Sequence, residues 1–165
     1  MKSSFRWNGD SDPVTLENLR QIPGMRSVVS AVYDVKPGEV WPEESIKYIA
    51  DKCKENGLVF DVVESIPVTE EIKLGSKERD RHIENYCESI RRCAKYGVKC
   101  VTYNFMPVFD WLRTDLARVI PEDGSNSLYF DEKDLGDMGP LEIVKKTAED
   151  SQGFTLPGWE PERLA

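Results

Sequence analysis

The chain has a single histidine, His82, in 165 residues. One imidazole leaves no histidine set for a metal site and no obvious Ser–His or Cys–His pair. His82 stands among Arg79, Asp80, Arg81 and Glu84 on a helical stretch and is expected on exposed helix surface. Cysteine is also sparse, with Cys53, Cys87, Cys93 and Cys100 the whole complement and no C-x-x-C pair. Each falls on a predicted apolar face, so they read as small buried hydrophobes rather than disulfides or zinc ligands. Basic excess is missing: 22 Lys and Arg stand against 30 Asp and Glu, for a net charge of −8. That argues against a nucleic-acid partner, which requires a basic face. The nearest basic cluster, Lys77, Arg79, Arg81, Arg91 and Arg92, fits the wet side of a helix. No apolar run approaches the ~20 residues of a membrane span. The start, Met1 to Trp7, lacks the apolar stretch of a signal peptide. A cytoplasmic protein without a membrane partner is the expectation. There is no G-x-G-x-x-G after the first strand and no G-K-[ST] loop, so a nucleotide-binding reading is poor. Repeats and low-complexity tracts are absent.

What is present is a regular alternation. Hydrophobic residues make up 39% of the chain and aromatics 10%, enough for a real core in one domain. Phe5-Arg6-Trp7 is a short strand candidate ended by Asn8-Gly9. Val14 to Ile22 is a short helix stopped by Pro23-Gly24. Ser27 to Tyr33 is a strand. Ile46, Ile49, Ala50 and Cys53 recur at helical spacing, with Pro42-Glu43-Glu44 at the start and Asn56-Gly57 at the stop. Leu58 to Glu64 is a third strand. A long helix follows, with Ile83, Tyr86, Cys87, Ile90, Cys93 and Ala94 as its apolar stripe, and Val98 to Phe105 is a fourth strand. Strict β-α alternation implies parallel strands with right-handed crossovers. A flavodoxin-like sheet and part of a (β/α)₈ barrel both fit. After Asp115 the pattern weakens. Pro121 to Asn126 is a loop, Ser127 to Phe130 a short strand and Leu135 to Ala148 a helix. We therefore divide the chain at 1–115, the βα units, and 116–165, a loop or lid insertion followed by the start of another helix at Pro157.

In parallel α/β folds, ligands bind beyond the carboxyl ends of the strands. The predicted strand ends collect Arg6 and Trp7, Tyr33 and Asp34, Glu64 and Ser65, and Asn104. The loop beyond Pro107 adds Asp110, Trp111 and Arg113. Arginine suits a carboxylate because its planar fork can bind both oxygens. Trp7, Trp111 and Tyr33 could stack on the apolar faces of a sugar, and Asn104, Glu64 and Asp110 could hold hydroxyls. Glu64 ends an apolar strand, where a lone buried carboxylate would be costly without a partner. Trp7 fits the core equally well, and Arg113 between Asp110 and Asp115 fits a local ion pair. The substrate-binding candidates are Arg6, Trp7, Tyr33, Glu64, Asn104, Asp110 and Arg113. No catalytic residue and no metal ligand is identified, so the residues alone describe a binding surface for a polyhydroxylated, anionic small molecule.

Phe5-Arg6-Trp7, Asp12 to Leu16, Ile22 to Met25, Ala31 to Val35, Glu64 to Val68, Ile83 to Tyr86, Tyr103 to Trp111 and Leu156 to Trp159 closely resemble the N-terminal half of mannonate dehydratases. The Tyr103 to Trp111 block is the most distinctive. The resemblance implies a (β/α)₈ TIM barrel of the xylose isomerase-like group, of which this chain covers about the first four βα units plus an insertion. It implies a hydro-lyase, a carbon–oxygen lyase that converts D-mannonate to 2-dehydro-3-deoxy-D-gluconate in hexuronate (glucuronate) catabolism, with divalent manganese or iron. A whole barrel takes ~250 residues. The family's metal ligands and acid–base residues lie on its later strands, and no position here matches them. The expectation is an N-terminal portion, inactive alone, that keeps the substrate-side wall and is a homo-oligomer. A non-catalytic half-barrel acting as a binding or assembly module stays open. So does a sugar isomerase or epimerase of the same barrel group.

Overall fold

The computed structural model describes residues 2–106 and 113–150. It divides into two compact units, the first ending at Phe105 and the second beginning at Met106.

The first unit holds strands β1 (Ser3–Arg6), β2 (Met25–Ser30), β3 (Val59–Val63) and β4 (Cys100–Val101), with helices α1 (Leu16–Arg20), α2 (Glu43–Glu55), α3 (Glu70–Leu74) and α4 (Arg79–Lys95) between them. The strands form one sheet in the order β1-β2-β3-β4, and every pairing is parallel. This is the arrangement that the alternation predicts, and it is the strand order of successive βα units in a barrel. Parallel strands need helical crossovers, and the apolar spacing of the helices supplies the covering layer. α2 buries Ile46, Ile49 and Cys53. α1 is held at its start by a reciprocal capping box between Thr15 and Asn18, which satisfies donors that a five-residue helix would otherwise leave open. Val28 and Phe60, from neighbouring strands, join Leu19, Trp41, Ile46 and Cys93 in one core cluster.

Several expectations change. The fourth strand is predicted to run to Phe105, but only Cys100 and Val101 pair with β3. β3 ends at Val63, whose carbonyl accepts the last bond from Thr102 N at 2.9 Å, and residues 102–105 are exposed. Context here overrides strand propensity. α3 is an additional short helix, closed by Gly75 in the left-handed conformation. The stripe read on α4 is buried only in part, at Cys93 and partly at Tyr86. Ile83 and Ile90 stay 41% and 36% exposed, and the buried residues are Ser89 and Cys93. Cys53 is buried as expected, whereas Cys100 is exposed.

The second unit contains an antiparallel pair, β5 (Asp115–Val119) and β6 (Asn126–Tyr129), a 3₁₀ turn at Glu132–Asp134 and helix α5 (Pro140–Asp150). β5 is not predicted from the sequence, whereas β6 and α5 are. Among the described residues, no helix is long and apolar enough to cross a membrane.

Candidate functional site

The carboxyl ends of β1, β2 and β3 lie side by side, and their registers explain how the candidate residues meet. Arg6 is paired with Val29, and Val29 with Val62. Glu64 follows just past β3, its amide bonded to the carbonyl of Ser30 at 3.1 Å. Arg6 therefore reaches over β2, and its Nη1 stands 3.5 Å from Glu64 Oε1. Their side chains are 43% and 39% exposed. Glu64 is thus a partnered, half-exposed acid, not the buried carboxylate that its place on an apolar strand suggests. The peptide bond between Glu64 and Ser65 is cis.

Trp7 continues β1. Its amide donates to Val29 O at 2.9 Å. Its carbonyl accepts from Ser30 Oγ at 2.8 Å and lies 3.4 Å from the donating Tyr33 hydroxyl. Trp7 is 4% exposed and belongs to the core, so the protein buries the ring and fixes the backbone beside Arg6. Tyr33 is 50% exposed, with an accessible ring and an anchored hydroxyl. Asn104 is exposed three residues past β4. Four candidates, Arg6, Trp7, Tyr33 and Glu64, come together, and Asn104 follows the neighbouring strand. Arg113 lies in the second unit, where it lines a small pocket with Thr114, Asp134 and Ile143. Asp115 is paired there with Arg118 at 2.9 Å. Asp110 and Trp111 lie outside the described residues, as does the helix start at Pro157.

Three polar residues carry more structure than the sequence suggests. Ser30, fully buried at the end of β2, holds the Trp7 carbonyl. Asp61 is the truly buried acid: it accepts from Ser27 Oγ and lies 3.5 Å from Lys2 Nζ. A lone acid between Phe60 and Val62 is the available signal for it. His82 is not on open helix surface, since its side chain is only 11% exposed. Its Nδ1 lies 2.9 Å from Thr69 Oγ1 and 3.7 Å from Glu71 Oε2. The ring packs on Gly38, where an added Cβ would come within 2.6 Å of it.

The remaining inward side chains of α4 hold the β2–α2 loop. Asn85 Nδ2 donates to Gly38 O at 2.8 Å, Ser89 Oγ accepts from Trp41 N at 3.0 Å, and Arg92 Nη1 donates to Trp41 O at 2.9 Å. These residues recur at helical spacing along one stripe, and their partners are backbone groups that burial would otherwise leave unsatisfied.

Manganese or iron requires converging nitrogen, oxygen or sulfur donors. Among the described residues, no three His, Cys, Asp or Glu side chains are grouped to hold an ion. Burial pushes the Cys53 thiol up to about 12 and the Cys93 thiol up to about 11, far from the thiolate that ligation needs. The described residues do not fit a transition-metal centre. Their arrangement can bind an anion at Arg6 and hydroxyls at its rim.

The D-mannonate dehydratase family model matches residues 1–165. The mannonate dehydratase of Lachnoclostridium phytofermentans is 53% identical over 99% of this chain and 46% of its own length. That of Thermotoga maritima is 52% identical over the same shares. A crystal structure of mannonate dehydratase from Streptococcus suis serotype 2 superposes with a TM-score of 0.80 at 46% identity, over 99% of this chain and 46% of the other. The chain thus spans about half the length of the curated relatives it matches. A profile matching from end to end, together with the parallel four-strand sheet, makes this chain a member of the D-mannonate dehydratase family.

Proposed function

We propose that this chain supplies the substrate-facing wall of a mannonate dehydratase, the hydro-lyase that converts D-mannonate to 2-dehydro-3-deoxy-D-gluconate and water. The observation that carries the reading is the meeting of Arg6 and Glu64 over β2, 3.5 Å apart, at the carboxyl ends of parallel strands. The reaction removes the proton at C2, next to the carboxylate, and expels the hydroxyl from C3 as water. The resulting enol tautomerises to the 2-keto product. Arg6 receives the C1 carboxylate, and Glu64 and Asn104 accept from or donate to the sugar hydroxyls. Tyr33 offers an exposed ring edge, and Trp7 holds the backbone that aims Arg6.

The family resemblance implies divalent manganese or iron, for which the described residues offer no ligand set. The setting proposed is hexuronate catabolism in the cytoplasm, by a homo-oligomer.

Calorimetric titration with D-mannonate and with D-mannose, alongside a product assay with added manganese, tests this. The 165-residue chain should bind D-mannonate in preference to the uncharged sugar and form no product. Equal binding of the two sugars would remove the anion-site reading. Product formation would show that these residues hold the catalytic groups after all.

A further inference from the structure

The Arg6–Glu64 contact is a poor permanent ion pair. It is a single approach at 3.5 Å, longer than the ~2.7–2.9 Å of a charge-assisted hydrogen bond and without the two-point geometry that a guanidinium offers a carboxylate. Both side chains are about two-fifths exposed, at 43% and 39%, where ion pairs contribute little to stability. Yet the two residues come from strands separated by β2, two strand spacings or about 9–10 Å apart. Both side chains must extend toward each other to meet. The backbone on each side is fixed, through Trp7 N and O on one strand and Glu64 N on the other.

We infer that Glu64 is an internal stand-in for the ligand's carboxylate: it holds Arg6 extended over the strand ends and yields its place when an organic carboxylate arrives. The inference rests on Arg6 being the anion anchor proposed above, and adds a basis for specificity. An incoming carboxylate can exchange for Glu64 and gain the two-point contact that Glu64 does not make. A neutral sugar cannot pull the guanidinium from its partner, so it meets an occupied site. The ligand class selected is therefore sugar acids over the corresponding sugars. Exchange is easy because the pair displaced is exposed and weak.

The test follows acetate, the bare carboxylate, at constant ionic strength against chloride, using the NMR shifts of Arg6 Nε–H and the Trp7 amide. Glu64→Gln should tighten acetate binding by roughly two- to fivefold, the equivalent of one exposed ion pair. Glu64→Asp, with its carboxylate drawn back by one methylene, should lie between wild type and Glu64→Gln. Arg6→Ala should abolish the response. Unchanged or weaker acetate binding in Glu64→Gln would overturn the inference, as would no response in either protein. D-mannonate and D-mannose titrations on the same samples separate the two readings. If the acetate pattern holds while D-mannonate binds no better than D-mannose, the exchange stands and the mannonate assignment falls.

Discussion

The two units use the same chain chemistry to different ends. Among the described residues, every member of the buried core, from Trp7 to Cys93, lies in the first unit. In the second, β6 is exposed throughout and α5 buries no residue. There Arg118 pairs with Asp115 and Asp134, each at 2.9 Å, and lies 4.3 Å from the Tyr129 ring centroid. An isolated two-stranded ribbon is marginal in water, and exposed ion pairs add little to it. The first unit is therefore a scaffold built by apolar burial. Among the described residues of the second, none belongs to that core. A site that must present Arg6 to a ligand with its geometry intact belongs on the first.

Truncating the scaffold should have the largest effect. Trp41 is 2% exposed in the core, and Trp41→Ala should cost about 3–5 kcal/mol in chemical denaturation of the first unit. Loss of less than a third of that would mean that the core is looser than the burial implies. Ser89→Ala comes next. It removes the acceptor for the buried Trp41 amide and should cost about 1–3 kcal/mol. A neutral result would show that another group takes over the amide.

Gly38 sharpens the comparison further. Its φ of 89° and the His82 ring 2.6 Å from a notional Cβ make any side chain there unwelcome. Gly38→Ala should cost about 1–3 kcal/mol from backbone conformation alone, plus the displacement of His82. Adding His82→Ala should recover the steric part and leave the backbone part. Melting temperatures of the single and double variants read this directly, and full additivity would refute the contact. The smallest effect is expected from Arg118→Ala in the second unit. The Tyr129 near-UV signal should change while the unfolding transition of the first unit stays in place. A shift of that transition would mean that the two units share stability.

The βα framework was legible because core formation follows hydropathy spacing. Ile46, Ile49 and Cys53 announced α2, and the apolar runs through Val28 and Phe60 announced adjacent strands. The resemblance in the Tyr103 to Trp111 block and the other quoted segments identified the family, which the end-to-end match bears out. On α4, Cys93 was legible from its spacing, but the polar part of the buried side was not. Its Asn85, Ser89 and Arg92 face the backbone of the β2–α2 loop, and hydropathy does not register a side chain whose partner is a peptide group. His82 was misplaced for the same reason: its packing depends on the missing Cβ of Gly38, 44 positions away in sequence. The strand-end rule places Arg6, Trp7, Tyr33 and Glu64 at one edge of the sheet, and the structure has them there. It could not foresee that Arg6 and Glu64 would meet, because that depends on the register across β2. Nor could it separate the half-exposed Glu64 from the buried Asp61, since both are acids in apolar strands.

The central claim is that D-mannonate binds at the carboxyl ends of β1 to β4. Chemical-shift mapping of the 165-residue chain during a D-mannonate titration tests it most directly. The account predicts saturable shifts centred on Arg6, Trp7, Tyr33, Glu64 and Asn104, lost in Arg6→Ala. Shifts centred elsewhere, or unchanged by Arg6→Ala, would contradict it.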